Sequence, residues 1–167
     1  MPHPSLGLPP RDVTAGHPAA AARLRASRTR LARIALEATL RDAPRFRETY
    51  DEVGLRHFLR DYDRHIEQLA RAIETGDAYY TQMYGEWLVP VYRRREVPMK
   101  DVIALVRGLR EAAATVMTPA ESEAAEPLFE RWIDRLQHHR RLPGDHAGNP
   151  VVRFFWKGAG IMDDEVV

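Results

Sequence analysis

Two Asp-x-x-x-His pairs stand out among the residues able to do chemistry: Asp61 with His65, and Asp134 with His138. A four-residue offset puts both members of each pair on one face of a helix, so facing helices could unite them around a metal ion. Di-metal carboxylate bundles use Glu-x-x-His with further glutamates from partner helices, however, and the sequence has no Glu-x-x-His. The plainer reading of a helical Asp–His pair is a surface hydrogen bond, so no metal is expected. His57, His65, His138 and His139 are conceivable haem ligands if the helices enclose an apolar cavity, against the plainer reading of solvated or capped histidines. Tyr79, Tyr80, Tyr84, Trp87 and Tyr92 form an aromatic cluster that could line a small-molecule pocket, although a stripe at helical spacing is usually core. The candidate pocket set is Tyr80, Tyr84, Trp87, His57 and His65. A nucleophile elbow, a phosphate-binding glycine loop, a dinucleotide fingerprint and a metalloprotease motif are all absent, so no enzyme activity is supported and no cofactor is implied.

Composition narrows the classes further. The 167-residue chain has the size of one domain and contains no cysteine, which excludes disulfides, iron–sulfur clusters, thiolate zinc sites and cysteine nucleophiles. Its 25 Lys and Arg balance 24 Asp and Glu, and the basic run Arg93–Arg94–Arg95 sits among acidic neighbours as a solvated helix end, so no nucleic-acid partner is expected. No apolar run is long enough to span a bilayer, and the first ten residues lack the charged start and apolar core of a secretory signal. A cytoplasmic protein is expected.

Periodicity supplies the elements. Residues 1–18, rich in Pro and Gly, read as a disordered arm, residues 19–142 as a helical domain, and residues 143–167 as an aromatic tail. One helix is expected from Ala19 to about Asp42, stopped by Pro44. A short piece from Phe46 to Val53 leads through Gly54 into a strongly amphipathic helix whose Leu55, Phe58, Leu59, Tyr62, Ile66, Leu69 and Ile73 share one face, closed by Gly76. Asp77 is placed to cap the aromatic-rich helix that follows, where Pro90 predicts a kink or local break near Glu86. Pro98 opens the next helix. Thr118-Pro119-Ala120-Glu121 carries the N-cap threonine, first-turn proline and glutamate of a capping box, from which the last helix runs toward Arg141. With no strand pattern, the fold class is all-α: about five helices in a bundle or globin-like packing.

The tail puts Val151, Val152, Phe154, Phe155 and Trp156 within six positions, an apolar patch that something must cover. It either folds back on its own domain or docks on a protein partner or a second copy; a weaker membrane-surface contact through Arg153 and Lys157 is a third use.

The segments Tyr50-Asp-Glu-Val-Gly-Leu, Thr75-Gly-Asp, Trp87-Leu-Val-Pro-Val-Tyr-Arg-Arg-Arg, Val97-Pro-Met-Lys-Asp-Val-Ile and Leu109-Arg-Glu-Ala resemble the N-terminal helical sensory domains of bacterial stressosome co-antagonists and of purine-catabolism-type transcription regulators. That resemblance implies a non-haem helical module, often a homodimer, that receives a signal and passes it to an output domain. On it, the chain is expected to be a non-enzymatic sensory or adaptor domain working through protein–protein binding. The alternative is a bundle that binds a haem, a cobalamin-like or another hydrophobic ligand.

Overall fold

A computed structural model describes residues 16–142, which form seven helices and their connections, with no strand among the described residues. In chain order these are α1 (Pro18–Ala26), α2 (Arg28–Asp42), α3 (Phe46–Thr49), α4 (Glu52–Thr75), α5 (Tyr79–Arg94), α6 (Met99–Ala114) and α7 (Pro119–Arg141). None is long and apolar enough to cross a membrane. The tail residues Val151, Val152, Phe154, Phe155 and Trp156 lie outside the described residues.

The single helix expected from Ala19 to Asp42 is divided at Ser27, whose φ of −98° and ψ of 9° depart from the helical minimum. The hydrogen-bond ladder nevertheless crosses the joint, Ser27 N–H donating to Arg23 O and Leu31 N–H to Ser27 O. The two halves differ in their main neighbour, α1 packing on α4 and α2 chiefly on α6, with α4 shared between them. A break near Glu86 does not occur: α5 runs unbroken through Pro90, which is exposed and whose lost N–H costs no buried bond.

The caps of α4 and α7 follow the sequence, whereas at α5 the N-cap position falls on Ala78 and the expected Asp77 sits one residue earlier, accepting from Tyr79 N–H at 2.9 Å. Gly76 closes α4 in the left-handed region at φ 66°, where a glycine carries no Cβ penalty. Asp51 caps α4 by accepting from Gly54 N–H, so that glycine belongs to the first turn and does not precede the helix. Thr118 and Glu121 form the expected capping box at α7, and Arg23 of α1 reaches across to the same glutamate and to Val116 O. Thr118→Ala should therefore lower stability by about 1 kcal/mol in urea denaturation, and a change under ~0.3 kcal/mol would show that the box contributes nothing.

The core is continuous, with Trp132, Tyr62, Tyr92, Phe46, Phe58 and Phe129 its largest fully buried side chains. Asp101 at the start of α6 is buried, but both carboxylate oxygens have donors, Arg45 on Oδ1 and the Tyr50 hydroxyl at 2.6 Å on Oδ2. That pairing satisfies an otherwise costly buried charge and ties the α3 segment to α6.

Candidate functional site

Between α4 and α5 opens a cleft of about 490 Å³, a size typical of small-molecule sites. The amphipathic register of α4 sends Tyr62, His65, Ile66 and Leu69 inward, which leaves Arg60, Asp61 and Arg64 along the cleft edge. Facing them, α5 contributes Tyr84, Trp87 and Tyr92, and Arg95 closes the end. Tyr84 and Trp87 stack at 5.6 Å with 15° between their planes, and the Arg64 guanidinium lies 5.1 Å from the Trp87 ring centre. Trp87 keeps 45% of its surface exposed, so this stack forms an open aromatic wall. A smaller hollow of about 300 Å³ continues past it toward Tyr79, Tyr80 and Met83.

The charges are unevenly engaged. Arg28 is occupied by Glu67 and Asp63, and Arg95 by Asp61 at 2.6 Å. Arg60 and Arg64, by contrast, pair with no carboxylate among the described residues, which leaves the cleft two guanidinium groups for an anionic ligand.

Behind the wall, His65 is 1% exposed and both its ring nitrogens are engaged, Nδ1 with the Tyr84 hydroxyl at 2.8 Å and Nε2 with the Tyr92 hydroxyl at 3.0 Å. Burial first of all, opposed by the Asp61 charge and assisted by Arg95 and Arg64, pushes its pKa down to about 4, so the ring is neutral at pH 7. Proton counting then sets every bond direction. The Asp61 carboxylate only accepts, so the Tyr92 hydroxyl donates its one proton to Oδ2 at 2.9 Å. The Tyr92 oxygen must accept from His65 Nε2–H, and the bare Nδ1 accepts from Tyr84.

Four of the five pocket residues expected from sequence thus border this region. Tyr84, Trp87 and His65 line the cleft, and Tyr80 the adjoining hollow, whereas His57 is exposed on α4 and lines neither. Among the described residues no three His, Asp or Glu side chains gather as a metal site. The Asp61–His65 pair is linked through Tyr92, while Asp134 and His138 are exposed. His139 contacts Glu86 at 2.7 Å. The basic run is not uniformly solvated: Arg94 is exposed, but Arg93 donates to His139 O and Arg95 lies over the Tyr92 ring while holding Asp61. Sequence reasoning missed Arg60, Arg64 and Arg95 as site residues. For Arg60 and Arg64 the signal was available in the register, since the polar positions flanking Tyr62 and His65 on α4 border the face that meets the aromatic helix; Arg95, at the C-cap of α5, had none.

Fold and cleft together define an all-helical, globin-like protein with a polar-rimmed aromatic groove between two long helices. Residues 16–136 match the family described as phycobilisome protein, and the chain belongs to that family. No curated protein matches the sequence. The family match overturns the resemblance to stressosome co-antagonists and purine-catabolism regulators. The segments behind that resemblance are helix punctuation, a Gly76 stop and a Pro98 start, which unrelated bundles share because the same backbone groups need ending.

Proposed function

We propose that this chain binds a linear tetrapyrrole of the bilin class reversibly in the α4–α5 cleft. The observation that carries the reading is the pair of carboxylate-free arginines, Arg60 and Arg64, beside the Tyr84–Trp87 wall. A bilin offers the complementary chemistry. Its carboxylates suit guanidinium groups, its conjugated rings suit an indole face, and its pyrrole N–H groups suit the Asp61 carboxylate. Membership of the phycobilisome family supports the same ligand class. With no cysteine in the chain, a thioether bond is impossible, so the ligand is held by contacts alone and exchanges with solution.

Titrating the full-length protein with biliverdin tests this. Saturating induced circular dichroism in the visible band is expected, and Arg60→Ala or Arg64→Ala should each weaken binding about tenfold, the size of one charge-assisted hydrogen bond. Absence of any induced signal from the wild-type protein would overturn the proposal.

A second reading, an assembly module, is supported by one feature. Tyr79, Met83 and Trp87 lie four residues apart on α5 and are each about half exposed, giving an apolar stripe of the kind that protein partners cover. On this reading the stripe is covered by a protein partner, and the chain works through protein–protein binding in the setting of a family whose proteins assemble with partners.

A further inference from the structure

We propose that His65 and Tyr92 are positioning residues for Asp61, holding one carboxylate oxygen so that the other is presented to a ligand in the cleft. The inference rests on the reading of the cleft as a binding site. Asp61 stands at the cleft edge with both of its side-chain hydrogen bonds among the described residues, from the Tyr92 hydroxyl and Arg95, on the same oxygen, Oδ2. An aspartate chooses among staggered χ1 wells and its terminal torsion is broader still, so two donors converging on one oxygen hold the side chain in one rotamer and set the carboxylate plane. Oδ1 is left as the acceptor for a ligand N–H.

Tyr92 can do this only if its hydroxyl proton stays on the Asp61 side. A phenol rotates freely unless its oxygen is also engaged, and His65 Nε2–H engages it at 3.0 Å. The Tyr84 hydroxyl, donating to Nδ1, keeps the other imidazole nitrogen unprotonated and so keeps Nε2 the donor. The chain Tyr84, His65, Tyr92, Asp61 therefore has one polarity, and each member strengthens the next. The groups facing His65 are Asp61 and Arg64 of its own helix, Tyr84 and Tyr92 of α5 with Arg95 just beyond it, and the rings of Tyr62 and Trp132. The Tyr84 oxygen could itself accept from an Nδ1–H, but that tautomer would leave Nε2 bare and draw the Tyr92 proton away from the Asp61 carboxylate, so the Tyr92–Asp61 bond selects Nε2–H.

The test begins in the ligand-free, full-length protein. Nitrogen-15 chemical shifts should show His65 protonated at Nε2 alone at pH 7, and side-chain three-bond couplings should show a single Asp61 rotamer. Tyr92→Phe, which deletes one oxygen, should leave the fold intact but give rotamer-averaged Asp61 couplings. His65→Phe should do the same, and His65→Gln, which retains an N–H donor, should restore the single rotamer. Tyr92→Phe keeps the test open if His65→Phe does not fold. With biliverdin, Tyr92→Phe should weaken binding about tenfold, with no further loss in an Asp61→Asn background. An Nδ1–H tautomer, or unchanged Asp61 couplings in Tyr92→Phe, would overturn the proposal. Failure of the wild type to bind biliverdin would instead overturn the cleft reading and leave the coupling measurement to decide the positioning on its own.

Discussion

Gly108→Ala is expected to lower stability by about 3 kcal/mol or more, at the upper end of overpacking costs. A Cβ at Gly108 would stand 2.2 Å from Thr39 Oγ1 and 2.4 Å from Ala35 O, far inside contact distance. The second of these is backbone of α2, so relief requires moving one helix off the other across the α2–α6 interface. The clash also falls on a buried polar knot: Thr39 Oγ1 donates to Ala35 O at 2.8 Å and sits 3.0 Å from the Tyr62 hydroxyl, which itself reaches Leu105 O. Separating the helices would strand these groups without water. Gly54→Ala is the control, because a Cβ there meets nothing closer than 3.3 Å and a first-turn alanine favours the helix. Urea denaturation of both variants reads the contrast. Equal midpoints would show that the α2–α6 crossing tolerates a wider spacing.

Acid should destabilise the fold between about pH 6.5 and 4 through His65. In the native state its pKa is depressed to about 4 from the ordinary 6.5, principally by burial. Above pH 6.5 the ring is neutral whether the chain is folded or not, and its contribution to stability is complete. Below that, the unfolded chain takes up a proton that the native core refuses, so stability falls as pH drops toward the native pKa. At roughly 1.4 kcal/mol per pH unit the loss approaches about 3 kcal/mol by pH 4. Denaturation at pH 7, 5.5 and 4.5 measures it, and His65→Gln should flatten the dependence. His139, lowered by its own desolvation and by Arg93 and Arg135, acts in the same direction, so the His65→Gln comparison isolates the share of His65. A wild-type slope no steeper than that of His65→Gln would refute the assignment.

Helix existence was legible because burial and the 3.6-residue period are written in the same residues. Leu55, Phe58, Tyr62, Ile66, Leu69 and Ile73 of α4 needed no tertiary information to be placed on one face. The break at Ser27 was not legible, since Ala, Leu and Arg on both sides favour a helix and hydrogen bonds cross the joint; what distinguishes the halves is tertiary, α6 being the main neighbour of α2 and not of α1. The effect of Pro90 was overestimated for a related reason. A proline costs most where its helix is buried around it, and this one faces solvent. At the site, aromatic type announced Tyr84 and Trp87, but the role of His65 depends on two hydroxyls 19 and 27 residues away. A histidine that belongs to a hydrogen-bond chain and one that could bind a metal look alike until those partners are placed.

The start of α1 is fastened to the end of α4: His17 N–H donates to Ile73 O at 2.7 Å, and Gly16 lies so close to Glu74 O that a Cβ would stand 2.0 Å from it. In kinetic terms this is a contact between residues more than fifty apart, closing a loop that spans the two helices between them, α2 and α3. The acceptor exists only once the last turn of α4 has formed. During synthesis α1 emerges before α4, so its first turn has no place to dock until the end of α4 has been made.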